Sequence, residues 1–167
     1  MVHTPALQIK PHKWSCSVTA FAMALRVPVA ELIEKIGHDG SQIIFPALED
    51  PMCRRGFHSQ ELIRVAWQYG FACTPIELFP RIESTCGNYN CRLGQNESKC
   101  WEAFTDDIMM TFGVLEGQGR HCHHAVQYRH GVIWDPDDGD SYFYSRKACE
   151  DRSFFGNRLW IFTRHNI

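Results

Sequence analysis

Apolar positions recur every three to four residues in the first part of the chain and alternate with polar ones in the last part. From Cys16 to Leu25 the residues Val18, Phe21, Ala22 and Leu25 share one helical stripe, with Ser15 as the candidate cap and an irregular segment containing Pro11 before it. "VPVAELIEKIGHDG" predicts a second helix, with Pro28 at its first position, Leu32, Ile33 and Ile36 as its apolar face and Gly37 as its stop. "HSQELIRVAWQYG" predicts a third, capped by Ser59 and ended by Gly70. The intervening "HDGSQIIFPALEDPMCRRGF" reads as a loop able to line a cleft.

After Gly70 the period changes. "FACTPIELF" reads as a strand whose Pro75 assigns it to a sheet edge. A polar, cysteine-bearing excursion follows at about residues 80–100, then a predicted helix around "WEAFTDDIMMTF". Beyond it "GVLEG", "HHAVQYRH", "GVIWDP", "SYFYS" and "RLWIFTR" read as strands separated by turns. Helices first and an antiparallel sheet second make an α+β fold, and the absence of repeats or low-complexity linkers makes residues 1–167 one domain.

Composition agrees. A chain of 167 residues that is 44 % hydrophobic and 13 % aromatic has enough apolar side chains for a substantial core, which excludes disorder. The formal charge of -2, with both signs mixed along the chain, offers no cationic field for nucleic acid or an anionic membrane. The N-terminus lacks an apolar signal core and no run is long enough to span a bilayer, so a cytoplasmic setting is expected. In that setting the eight cysteines are expected as free thiols. Cys86, Cys91 and Cys100, with Cys73 or Cys53 as a fourth ligand, lack the two close pairs of a zinc ribbon, and His121 and Cys122 lack a second ligand cluster. Neither a metal nor another cofactor is therefore expected.

Cys16 stands in the first turn of the first helix, where amides and the helix dipole stabilise a thiolate. The alternative is that Cys16 is a small buried hydrophobe, the usual fate of a free cysteine. A thiolate nucleophile needs a base, and "RHCHHAVQYRHGVIWDPDDG" offers one. If "VQY" and "VIW" pair around a turn at Arg129 to Gly131, His124 meets Asp135 or Asp137, and either carboxylate can orient the imidazole. His123 competes with His124, but strand neighbours face opposite sides. His58 and Trp14 are candidate cleft residues that serve equally well as a pre-helix polar residue and a packing residue.

The combination of "WSCSVTAFAMAL", "GFHSQELIRVAWQYGF", "HHAVQY" and "WDP" resembles the papain-like cysteine peptidases, and within them the bacteriocin-leader-processing peptidases and their stand-alone relatives in bacteria and phages. The resemblance runs from about Gln8 to Asp138. It implies a papain-like fold with Cys16 as nucleophile, His124 as base and Asp135 as orienting acid, acting on a peptide or isopeptide bond of a peptide or protein substrate. In that family a glutamine six residues before the nucleophile usually helps to stabilise the oxyanion. Here that position is Lys10, and Gln8 lies two residues earlier, so both are oxyanion candidates. Loss of one such donor costs about 10²–10³ in rate. A thiol-dependent amidase, deamidase or transglutaminase-like acyltransferase would use the same residues, and a non-catalytic peptide-binding module could share the fold.

Overall fold

The computed structural model describes residues 7–78, 110–119 and 123–165. Three helices come first: α1 (Cys16–Leu25), α2 (Val29–Ile36) and α3 (Ser59–Gln68). A six-stranded antiparallel sheet follows, built from β1 (Phe71–Glu77), β2 (Phe112–Gln118), β3 (His123–Arg129), β4 (Val132–Trp134), β5 (Ser141–Phe143) and β6 (Phe155–Arg164) in the order β1-β6-β2-β3-β4-β5. A short helix, α4 (Arg146–Arg152), connects β5 to β6. The layout is α+β, with β1 at the edge, where the missing N–H of Pro75 is tolerated.

The α1 helix is apolar beyond the single expected stripe. Every residue in it except Ser17 is buried, Thr19, Ala20, Met23 and Ala24 included. It is a core helix, packed between α2, α3 and the sheet face that carries Val114, Ala125, Trp160 and Phe162. The opposite sheet face buries Leu115, Val126, Tyr128, Ile133 and Leu159 against Phe154, Tyr144 and Cys149. Arg26 ends α1 in the left-handed conformation, and Gly37 ends α2 the same way.

Several boundaries differ from expectation by one residue. Pro28 is the N-cap of α2 rather than its first helical residue. Ser59 is the first residue of α3 rather than its cap; His58 takes the cap position, and its N–H donates to Glu61 Oε2 at 3.0 Å. The helix expected around "WEAFTDDIMMTF" lies mostly outside the described residues, and its last residue, Phe112, opens β2 instead. Cys86, Cys91 and Cys100, with the excursion that carries them, and His121 and Cys122 also lie outside the described residues.

The β3–β4 hairpin positions the residues of interest. His130 and Gly131 both have positive φ, 48° and 79°, and form a two-residue turn that pairs Arg129 with Val132 and Gln127 with Trp134. Pairing stops at Trp134. The chain then folds on itself, the Asp137 N–H donating to Asp135 Oδ1 at 2.9 Å and the Gly139 N–H to the Asp135 carbonyl at 3.1 Å. On the other side of β3, Gly117 of β2 pairs with His124, next to a register shift between β2 and β6. A Cβ at Gly117 would lie 2.0 Å from the Phe155 carbonyl oxygen. Gly117→Ala should therefore push β6 off β2 beside the start of β3 and cost about 1–3 kcal/mol of stability, read as a lower urea midpoint at unchanged m-value.

Candidate active site

The N-terminal segment leads into α1 through a turn that leaves the helix start open. Ser15 is fully buried, and its hydroxyl accepts from the His12 N–H at 3.0 Å and donates to the His12 carbonyl at 2.8 Å. It makes no side-chain cap to the first-turn amides, which remain available to another acceptor. Cys16 follows directly, 8 % exposed, at the positive end of α1.

His124 is the second residue of β3 and is buried, with the Phe154 ring edge-on at 5.5 Å. Its Nε2 lies 2.9 Å from Asp135 Oδ1, and Asp135 is buried as well. This leaves Nδ1 for the Cys16 side, where the imidazole acts to lower the thiol pKa. Cys16, His124 and Asp135 thus come together at one place, although they arise from a helix start, a strand start and a post-strand turn. Asp137, the alternative acid, has its Oδ1 3.9 Å from His124 Nδ1. His123 is exposed and also lines the cleft.

The electrostatics of the three groups favour an ion pair. Burial pushes the Cys16 thiol up, but the hydrogen bond and charge of His124, the Ala125 backbone N–H and the Lys10 ammonium outweigh it and bring the thiol below its ordinary 9.0. Burial works against the His124 imidazolium too, yet the Asp135 and Cys16 hydrogen bonds raise it to about 10. Asp135 is lowered, with the burial penalty outweighed chiefly by the His124 hydrogen bond. Cys73, by contrast, has only burial acting on it and is pushed up to about 12.

Around these residues lies a cavity of about 320 Å³, lined by Cys16 and His124 and, on its charged sides, by Lys10, Lys13, Asp137 and Arg152. Lys10 projects into it, but its ammonium is bound to Asp137. Gln8 does not reach it. Its amide donates to the Val27 carbonyl at 2.7 Å and accepts from the Val29 N–H at 2.9 Å, so both ends are spent on the α1–α2 junction, away from Cys16. Trp14 donates to the Asp39 carbonyl at 2.8 Å and lies under Arg54 at 4.1 Å, tying the loop between α2 and α3 to the segment before Cys16. His58 is a helix cap.

His124, Asp135 and Asp137 hold donor atoms within 4.8 Å of one another, close enough to share a cation. The Lys10 ammonium already occupies Asp137 there, and two of the three donors are joined to each other, so the set fits a proton-sharing site better than a metal. Sequence reasoning missed Arg152, whose guanidinium binds Asp138 and Asp140 and covers the Tyr142 ring at 4.1 Å, clamping the turn that presents Asp135. The sequence reading placed no helix between "SYFYS" and "RLWIFTR", so nothing in it set this arginine opposite the aspartate-rich turn.

No protein-family model and no curated protein matches this sequence. Among solved structures, the chain is similar to the crystal structure of a double glycine motif protease from an AMS/PCAT transporter, in complex with the leader peptide. The TM-score is 0.54 and the identity 14 %, over 95 % of this chain and 91 % of that one. The fold is that of a papain-like peptidase. N-terminal helices packed on a C-terminal antiparallel sheet are common to both chains, and at this identity the likeness concerns the fold.

The arrangement predicts that iodoacetamide alkylates Cys16 with a pH midpoint below 9.0, while Cys73 stays unmodified in the folded protein. A group whose pKa is lowered by an imidazolium loses that lowering when the imidazolium is removed, so His124→Ala should shift the midpoint upward. An unchanged midpoint in that variant would separate His124 from the thiol.

Proposed function

We propose that this protein is a cysteine peptidase that hydrolyses a peptide or isopeptide bond through Cys16, His124 and Asp135. The observation that carries the reading is the convergence of a thiol below its ordinary pKa, an imidazole raised to about 10 and a carboxylate 2.9 Å from that imidazole, all lining one cavity. In this reading the Cys16 thiolate attacks the substrate carbonyl carbon. The carbonyl π electrons move to oxygen, and the oxyanion is held by the Cys16 backbone N–H in the open first turn of α1. His124 gives its Nδ1 proton to the leaving amine as the C–N bond breaks, then takes a proton from the water that hydrolyses the thioester. Asp135 accepts from Nε2–H throughout, which fixes the tautomer and stabilises the imidazolium.

The similarity to a peptidase solved with its leader peptide supports a peptide as the substrate class. The same three residues would support a deamidase or an acyltransferase, and the acceptor that enters the cleft decides between them. Incubation with a peptide library and with glutamine-containing peptides, read by mass, separates chain cleavage from a shift of about +1 Da, since bond chemistry rather than fold sets the product mass. Cleavage that is lost in Cys16→Ala is the expected result, and a mass shift without cleavage assigns the deamidase instead. Asp135→Asn should lower turnover by about 10²-fold or more, because the imidazole loses its orienting acceptor. Asp137→Asn should cost much less. Equal, small losses in the two variants would remove Asp135 from the mechanism.

A further inference from the structure

His124 stands between two carboxylates, one at each ring nitrogen. Asp135 Oδ1 is 2.9 Å from Nε2, and Asp137 Oδ1 is 3.9 Å from Nδ1, the nitrogen that serves Cys16 in the reading above. A carboxylate at that distance needs to approach by only about 1 Å to accept a hydrogen bond from the imidazolium. It would then compete with the thiolate for the same proton, and as the harder, more strongly accepting anion it would turn the ring away from sulfur.

Asp137 is not at liberty to do so. The oxygen that lies 3.9 Å from Nδ1 is the same Oδ1 that binds the Lys10 ammonium. Lys10 is itself held in place, since its backbone N–H donates to the Pro136 carbonyl at 2.9 Å, between the two aspartates. The segment before it is anchored through Gln8 to Val27 and Val29. These backbone and Gln8 bonds do not involve the Lys10 side chain and would survive its replacement.

We propose that Lys10 is a positioning residue whose ammonium holds Asp137 off His124 Nδ1, so that the imidazole proton stays directed at Cys16. This role rests on the cysteine hydrolase reading and differs from that of an oxyanion donor. A donor to substrate is needed whatever Asp137 does. A restraint on Asp137 becomes unnecessary once Asp137 is removed.

The test is a second-site rescue, read both as peptide hydrolysis and as the rate of Cys16 alkylation by iodoacetamide. Lys10→Met keeps the apolar stem and deletes the charge. It should lower kcat and slow alkylation by about ten-fold or more with little change in KM, since the loss falls on proton positioning rather than substrate binding. Lys10→Arg, which can still bind Asp137, should retain most of both rates. Adding Asp137→Ala to Lys10→Met should restore most of what Lys10→Met lost. A Lys10→Met protein as fast as the parent overturns the proposal, and so does a double variant as slow as Lys10→Met, which would make Lys10 a substrate donor, a direct stabiliser of the Cys16 thiolate or a purely structural residue. The alkylation arm needs no substrate. A parent protein whose Cys16 reacts no faster than its other thiols would instead overturn the hydrolase reading itself, a result distinct from failure of the rescue.

Discussion

The hydrogen bond between His124 Nε2 and Asp135 Oδ1 is the constraint on which the rest of the site depends. Both groups are buried, and a buried carboxylate or imidazolium is tolerated only when its charge is met by a partner of good geometry. Asp135 satisfies this with the His124 ring on Oδ1 and with the Asp137 N–H on the same oxygen. The turn beyond β4 has to take one shape to provide that second donor, and Arg152 holds the shape by binding Asp138 and Asp140. The short helix α4 is thereby tied to Asp135 and His124 through the Arg152 charge.

The second dependence runs through α1. A helix buried on nearly every side has one axial position, set by packing against β2, β3, α2 and α3. Its first residue is Cys16, so the packing of Val18 and Phe21, within about a turn and a half of it, decides where the sulfur stands relative to His124. Ser15 completes the arrangement by turning its hydroxyl back to His12 instead of forward to the helix. A hydroxyl in the usual capping geometry would occupy an amide that the proposed reaction uses for its oxyanion. At the start of α1 a residue able to cap leaves the first-turn amides without a side-chain acceptor.

Much of this was legible in the sequence, and the parts that were not share a cause. The period of α1, the glycine stop of α2, the edge position of β1 and the His124 strand all follow from local patterns that depend on a few neighbouring residues. The choice between Asp135 and Asp137 did not. Straight extension of the Gln127–Trp134 register sets residue 137 opposite His124, and only the departure of the chain from the sheet after Trp134 brings Asp135 to Nε2. Gln8 and Lys10 were indistinguishable as candidates because the path of an irregular segment carries no periodicity. Contacts across 19 and 21 residues, from Gln8 to Val27 and Val29, settle where that segment lies. His58 replaced Ser59 as the cap of α3 because Glu61 reaches back to its N–H, a contact that could be matched to either start.

An imidazole flanked by two acids presents a problem that a single triad acid does not. Asp135 raises the proton affinity of the ring, which favours the imidazolium needed for the ion pair with Cys16. A second unscreened carboxylate on the Cys16 side would raise that affinity further while drawing the proton along the wrong axis. In the proposed reaction, proton transfer to a leaving amine requires direction as well as driving force, so the two acids cannot act in the same way. Their surroundings separate them. Asp135 is buried, bonded to the ring and clamped by its turn, whereas Asp137 is 47 % exposed and bound to an ammonium. Water and Lys10 together weaken the pull of Asp137 on Nδ1, leaving the low-dielectric interaction to Asp135 alone. Lys10 thus coincides with a second aspartate two residues beyond the first, and the ion pair between Lys10 and Asp137 makes the two features a matched pair.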